Sequence, residues 1–498
     1  MKHQRLMALL AVAAVVTVAG CSSSKSKASA PSSSAPSAAA STSASAPAAT
    51  TSAPAVAAST PASPAPASSA AANDVSAPTT ITVNCEPPTT AASQRTQWLD
   101  DVASFEKLHP NITINSKDEA PCDDPNTFSA KLASGQEENV FYLYLTDTQQ
   151  AIDSGQVLDI QQYASTIPGL SDIQTSVLDV FKKGGADSGD LYGLPKTNYT
   201  LGLVYNRALF TAAGLDPNSP PTTWTDVQAD AKKIAALGNG DVGYADYSAG
   251  NTGGWHFTAE MYSQGGDVVD STGKKADFDN AKGLALINNL KQMRWTDNDM
   301  GSKQLLQYQD TINMMAAGHL GMTIGAPDYL TNMQQTDKAD LTNFGMGAMP
   351  AGASGSGTLL GGDGYMFNKS DTPDQVKAGL LWLEYENLTP GTGQFNYARA
   401  KSLGNPVGLP EPDLFQGATA TTDAADKAAS ANLPLANYQP YVTVTPNLKG
   451  NVEPPDAQAI YKVLDGLMSA VLTNKSADPQ KLLDQYSAQV NQVLSQSS

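Results

Sequence analysis

The residues that could build a reaction centre in this chain are its four histidines, three cysteines and 48 acidic side chains. Their spacing builds none of the familiar centres. His3, His109, His256 and His319 are scattered, and no HExxH, CxxC, Gly-x-Ser-x-Gly or phosphate-loop pattern is present. Gly352 to Gly357 (GASGSG) lacks the glycine spacing of a nucleophile elbow. A glycosidase-type pair of carboxyls stays open, because separation in space defines it. What the chain does place together is aromatic rings with acid and amide side chains, in segments that follow apolar strand-like runs. These are Asn84 and Glu86, Thr146 and Asp147, Lys196 to Tyr199 with Asn198 among them, Asp246 and Tyr247, Trp255 and His256, Asp328 and Tyr329, and Gly362, Asp363 and Tyr365. A sugar presents C–H faces edged with hydroxyls. Flat rings stack on the first, and carboxyls, amides and backbone groups bond the second.

Each of these residues also has a plainer reading. Trp255 either faces a ligand or anchors a Gly-Gly-Trp-His loop, and Asp147 either contacts ligand or caps a helix. Asp363 lies in Gly-Gly-Asp-Gly, where a turn can absorb its side chain. Trp98, Trp224 and Trp382 read as core, and Lys196 and Arg399 as partners of acids.

The elements that would hold these side chains alternate. Thr80–Val83 reads as a strand, Gln94–Leu108 as a helix ended by Pro110, and Ile112–Ile114 as a second strand. A short helix near Thr127–Ala133 precedes the apolar run Val140–Leu145. Leu201–Tyr205 is a further strand, and the helix after it stops at Gly214, a residue suited to a left-handed end. A helix starts at Thr223 or Thr225, Val242–Tyr244 restores a strand, and Gly253–Gly266 reads as loop plus helix. Then follow a helix over Asn280–Met293, a strand over His319–Thr323 and a helix over Asp371–Leu388 opened by Thr372-Pro373. Residues 390–450 read as irregular, and two helices, Pro455–Leu472 and Pro479–Leu494, close the chain. Strand–helix–strand alternation with short connections argues for an α/β fold with doubly wound sheets. In such sheets the ligand crevice lies beyond the strands' carboxyl ends.

Several strings carry a family resemblance. Leu191–Leu215 (LYGLPKTNYTLGLVYNRALFTAAGL), Pro220–Val227 (PPTTWTDV), Ser154–Asp159 (SGQVLD) and Leu359–Lys369 (LLGGDGYMFNK) resemble signatures of the extracellular solute-binding proteins of ABC importers, the sugar-binding, maltodextrin-binding-like group. The resemblance covers residues 80–494 and is loosest over 390–450. It implies a two-lobed, type II periplasmic-binding-protein fold, each lobe a doubly wound sheet, with the ligand held in the cleft between lobes. Lobe 1 would comprise 79–198 and 366–410, and lobe 2 would comprise 199–365 and 411–498. The ligand-contact set implied is Glu86, Asp147, Asn198, Tyr199, Tyr247, Trp255, Asp328, Tyr329, Asp363 and Tyr365.

The first 78 residues have another character. A basic start, an apolar run from Leu6 to Ala19 and the junction Val18-Ala19-Gly20-Cys21 read as a signal peptide over 1–20. The junction resembles a bacterial lipobox, which implies cleavage before Cys21 and lipid on its thiol; an ordinary cleaved signal or an uncleaved anchor is the alternative. Residues 21–78, nearly all Ala, Ser, Thr and Pro after Cys21, read as a disordered tether. As a coil it reaches about 40 Å, and extended about 180 Å. That length suits a domain held outside a Gram-positive cell on the outer face of its membrane.

From residue 79 on, setting aside Lys2, Arg5, Lys25, Lys27 and Asp74 leaves 26 bases against 47 acids, a net charge of −21. Nucleic acid and anionic lipid are poor partners for such a surface. With Cys21 assigned to lipid, Cys85 and Cys122 remain, and in an exported chain an even remainder suggests a disulfide; a metal site is the alternative. The expected protein is a monomeric, membrane-tethered, non-enzymatic binder without cofactor that captures a carbohydrate, an oligosaccharide above all, and hands it to the ABC permease. A polyamine, amino-sugar or phosphodiester cargo, or a cell-wall-active hydrolase, is the alternative.

Overall fold

Strand β1, Thr79–Glu86, starts the order, and β2 (Ile112–Asp118) lies parallel to it after the helix Ala92–Leu108, whose buried Trp98 and Phe105 press on the sheet. Next come β3 (Val140–Tyr144), β4 (Gly193–Thr200), β5 (Gly202–Asn206), β6 (Val242–Tyr244), β7 (Leu320–Gly325), β8 (Phe344–Ala348), β9 (Thr358–Phe367) and β10 (Gly450–Val452). The computed structural model describes residues 75–496 apart from 119–121, 123–126, 165, 186–188 and 304. The signal segment, Cys21 and nearly all of the expected tether lie outside the described residues.

Two sheets result. The first runs β10-β9-β3-β1-β2, with β4 on the other edge of β9; β1 is parallel to β2 and β3, while β9 runs antiparallel to β3 and β4. The second runs β6-β7-β5-β8. Each has its own core. Ile81, Phe141, Phe181, Tyr365 and Trp382 pack in the first lobe, and Leu203, Phe257, Ile324, Leu464 and Leu483 in the second. Late in the chain Leu414 and Phe415 pack with the first lobe, while Tyr438 and Tyr441 pack against the second lobe's sheet.

Three segments join the lobes side by side. The chain first passes from β4 into β5 through Leu201, returns along β9, and crosses again at β10. The Leu201 amide donates to the Leu359 carbonyl at 3.1 Å, and the Thr358 amide to the Lys449 carbonyl at 2.9 Å. The Thr358 hydroxyl donates to the Leu201 carbonyl at 2.9 Å, and the Tyr441 hydroxyl to the Thr200 carbonyl at 2.8 Å. Thus the backbone groups that a crossing would leave bare are paired with one another.

Local signals explain most element starts. Asn206 caps the helix Arg207–Ala212 by accepting from Ala208 and Leu209, and Thr223 caps Trp224–Ala235 with Asp226 in its first turn. Thr372 forms a capping box with Gln375. The expected bond between Cys85 and Cys122 is present, with the Cα atoms 4.8 Å apart, and joins the ends of β1 and β2.

Three expectations are corrected. Residues 390–450 are not irregular: they contain the helices Tyr397–Ser402, Gly417–Ser430 and Gln439–Val444. The longest of these buries only Asp423, so it carries almost no apolar stripe for periodicity to detect. Trp255 lies in the helix Thr252–Ser263, not in a loop. Gly253 and Gly254 precede it because a Cβ there would overlap the backbone of Ser248 and Tyr461, so the glycines permit close helix contact. Likewise Asp363 sits inside β9, not in a turn; a side chain at Gly361, Gly362 or Gly364 would collide with Tyr199, Leu145 or Phe181.

Candidate ligand-binding cleft

A cleft of about 1790 Å³ opens between the lobes, with the crossing strands as its back wall. Thr146 and Asp147 come to it from the turn after β3, Asn198 and Tyr199 from β4, and Leu360 and Gly361 from β9. Its far side is built by Tyr441 to Leu448 and by Val452 to Lys462. Pro410 to Asp413 close one end. The strand-end rule thus finds Asp147, Asn198 and Tyr199. It misses Glu411, Thr445 and Glu453, which stand on connections and short turns that no apolar run announces.

Tyr199 is the centre of the site. Its ring lies over Gly361, and Trp255 meets it edge to face with centroids 6.4 Å apart. From there rings lead inward in sequence: Trp255 to His256 at 5.6 Å, His256 to Tyr247 at 3.9 Å, Tyr247 to Tyr308 at 5.8 Å and Tyr308 to Tyr329 at 5.7 Å. Tyr199 and Trp255 keep partial exposure, whereas Tyr247 and Tyr329 have none. Four of the five expected aromatics, Tyr199, Trp255, Tyr247 and Tyr329, are therefore linked in one series through His256 and Tyr308, of which Tyr199, Trp255 and Tyr308 keep partial exposure, whereas Tyr365 meets Tyr142 in the first lobe.

Beneath it, the buried His256 Nδ1 lies 2.6 Å from Asp246, and the Tyr244 hydroxyl donates to Glu260 at 3.0 Å. Burial, and the Asp246 charge beside it, raise the Glu260 carboxyl well above its ordinary range.

The remaining expected residues are placed as follows. Glu86 is buried and ion-paired with Arg95. Tyr365 is buried in the first core, with its hydroxyl unpaired among the described residues. Asp363 accepts from the Tyr142 and Thr197 hydroxyls, each at 2.8 Å, and lies 3.8 Å from Lys196. Asn198 donates to the Asp413 carbonyl at 3.5 Å. Asp328 accepts from the Tyr308 hydroxyl and the Asn332 amide, each at 3.3 Å. The acids expected for Lys196 and Arg399 are found, since Arg399 grips the buried Asp101.

The cleft carboxyls are perturbed. Burial raises Asp147 to about 6, against a hydrogen bond from Thr146. Glu453 rises to about 8, first through burial and then through the charge of Asp147, although the Tyr461 hydroxyl donates to it at 2.9 Å. Water reaches Asp328 and Glu411, yet protein surrounds both; loss of hydration raises Asp328 to about 6, with Glu411 and Asp363 adding like charge. Tyr199 feels Glu453, Asp328 and Asp363 together. No group of three or more His, Cys, Asp or Glu side chains suited to a metal ion occurs among the described residues.

Comparison with known proteins places this geometry. The model of the bacterial extracellular solute-binding protein family matches residues 88–385. A putative binding protein of Brucella abortus is 26% identical over 322 residues, covering 64% of this chain and 71% of that protein. The sn-glycerol-3-phosphate-binding periplasmic protein of Yersinia pestis is 26% identical over 213 residues, 40% of this chain and 45% of its own length. Among solved structures, an ABC transporter solute-binding protein of Thermotoga lettingae bound with α-D-tagatose superposes with a TM-score of 0.67 at 19% identity, covering 83% of this chain and 99% of that one. The cyclic α-maltosyl-1,6-maltose binding protein of Arthrobacter globiformis gives 0.62 at 20%, covering 84% and 99%. Both share the two-lobed α/β periplasmic-binding-protein fold. With the family model spanning more than half its length, this chain belongs to the bacterial extracellular solute-binding protein family.

Proposed function

We propose that this protein captures a carbohydrate, most suitably an oligosaccharide, between its lobes and delivers it to the membrane subunits of an ABC importer. The observation that carries the reading is the cleft itself: a large crevice backed by three hinge strands, lined by the Tyr199 ring, which Trp255 meets edge to face, and edged with carboxyls and amides. Rings for C–H faces and acceptors for hydroxyls are what a sugar requires. Structural neighbours named for tagatose and a cyclic maltosyl-maltose support the same class. Ligand touching both lobes at once favours the closed arrangement, so binding shifts an open–closed equilibrium that the permease reads.

Cys21 is proposed as the lipid-bearing anchor and the following tether as the spacer that holds a monomeric domain outside the membrane. No helix among the described residues is long and apolar enough to cross a membrane. The protein is proposed to act without turnover and without a cofactor.

The test is a thermal-shift screen of the purified chain against mono- and oligosaccharides, polyamines and phosphodiesters, with recovered ligands checked for cleavage. A ligand at 100 times its Kd stabilises by about 2.7 kcal/mol. A sugar series that raises the Tm and emerges intact upholds the reading. A cleaved sugar, or a response to phosphodiesters alone, overturns it.

A further inference from the structure

The charge on the cleft walls goes beyond what a neutral sugar needs. Asp147, Asp153, Glu411, Asp413, Glu453 and Asp456 line it, against Lys462 as the one basic lining residue. Six to one is far from the 48 to 30 of the whole chain, so the excess is local to the cleft. The acids also oppose each other across the gap. Asp147, on the first lobe, and Glu453, just after the third crossing, lie within each other's field, as do Asp328 of the second lobe and the Glu411–Asp363 pair. Their nearest donors are mostly neutral: Thr146 for Asp147, Tyr461 for Glu453, Tyr308 and Asn332 for Asp328. Lys196 reaches Asp363 and, with Lys427, lends positive field to Glu411, which leaves Asp147, Glu453 and Asp328 without a basic partner among the described residues.

A second, independent feature points to an occupant. Thr445 lines the cleft at 7% exposure, and its hydroxyl has no hydrogen-bond partner among the described residues. A buried, unpaired hydroxyl costs free energy until something polar meets it.

We infer that the solute taken by this cleft carries protonated amines: a basic, amine-bearing carbohydrate held between carboxylates of both lobes. The inference rests on the carbohydrate reading for the scaffold and on the acids for the charge. A cation between Asp147 and Glu453 favours the ionised form of both carboxyls and attracts the two sides at once, so its binding also favours closure. The Tyr199 and Trp255 rings beside it supply faces attractive to ammonium. Clefts lined by one sign of charge focus the field and concentrate counter-ions.

The experiment is isothermal titration of the full chain with glucosamine oligomers, with the same oligomers N-acetylated, and with spermidine. Each is measured at about 0.01 M and about 0.15 M salt, across which screening shortens from about 30 Å to about 8 Å. Glucosamine oligomers should bind at least tenfold more tightly than their neutral counterparts, with an advantage that shrinks as salt is added. Glu453→Gln and Asp147→Asn, each checked for an unchanged folded signal, should narrow that gap. Neutral oligomers binding as tightly, with affinity insensitive to salt, would overturn the charge inference and leave the carbohydrate reading standing. Spermidine binding with salt-sensitive affinity while no sugar binds would do the reverse. If no amine-bearing probe binds even at low salt, the charge inference is wrong.

Discussion

Asp101 and Glu453 are both acids withdrawn from bulk water, and the fold provides for them differently. Asp101, fully buried in the first lobe, receives the Arg399 guanidinium; the buried Glu386 nearby shares that positive field. Glu453 receives a phenol from Tyr461 and faces another acid, Asp147. Asp101, which serves the fold, is matched with a base, since an unpaired buried charge is costly; Glu260 and Asp299, buried away from the cleft without such a match, are instead raised by burial. A carboxylate that waits for a ligand is left with neutral donors and some access to water. By this criterion Glu86, with Arg95, belongs to the scaffold, and Asp147 and Glu453 to the cleft.

Breaking the scaffold pair should give the largest effect. Arg399→Met leaves Asp101 buried and unpaired, and loss of one partner of such a pair costs about 3–5 kcal/mol. Urea unfolding of the variant should show that loss, and adding Asp101→Asn should recover much of it. If Arg399→Met costs less than about 1 kcal/mol, the distinction between the two kinds of acid fails.

Next in size are the glycines of β9. Gly361→Ala and Gly364→Ala both force a methyl into an aromatic ring, Tyr199 in one case and Phe181 in the other, and overpacking of this sort costs about 1–3 kcal/mol. Gly364→Ala also meets the Leu194 carbonyl, so its stability loss should be the larger. Only Gly361→Ala displaces the Tyr199–Trp255 pair, so only it should also raise the Kd of whichever ligand the screen identifies. Equal weakening by both would mean that Tyr199 is packing and not platform.

These glycines also show where the sequence was readable. Strands β1, β3, β6 and β7 and the Thr223 cap follow from apolar runs and capping chemistry, all of which are local. The same local rules read Gly-Gly-Asp-Gly as a turn and Gly-Gly-Trp-His as a loop, because absence of a side chain signals flexibility unless the neighbour filling the space is known. That neighbour, Tyr199 or Tyr461, is remote in sequence. The cleft was legible in the same proportion. Asp147 follows β3, and Asn198 and Tyr199 stand near the end of β4; Thr445 and Glu453 flank the third crossing and Glu411 stands on the connection before Leu414, segments that only the tertiary fold brings to the cleft. Tyr247, Tyr329 and Tyr365 follow or end strands too, and the fold turns them inward.

The smallest effect separates the two kinds of acid by pH. In the folded protein Glu453 holds its proton to about 8, mainly through burial and then through Asp147, whereas in the unfolded chain it releases it near the ordinary value of 4.5. Between those values the unfolded state binds fewer protons than the folded one, so stability falls as pH rises. Burial gives Asp147 and Asp328 the same sign over a window ending near 6, and Asp299, Asp371 and Glu384 over one ending near 7. The groups facing Glu453 are Asp147, Tyr461, Tyr199 and Tyr262; the tyrosines, raised by burial, stay neutral throughout. The Tm of the free protein should therefore decline from about pH 5 to about pH 8, and Glu453→Gln should flatten part of that decline above about pH 7, a range it shares with the buried Glu260 and Glu386, which burial also raises. A bound amine should flatten it as well, because it favours the ionised carboxylates that the empty cleft resists. If Glu453→Gln leaves the slope above pH 7 unchanged, Glu453 is ionised in the empty cleft and belongs with the paired acids of the scaffold.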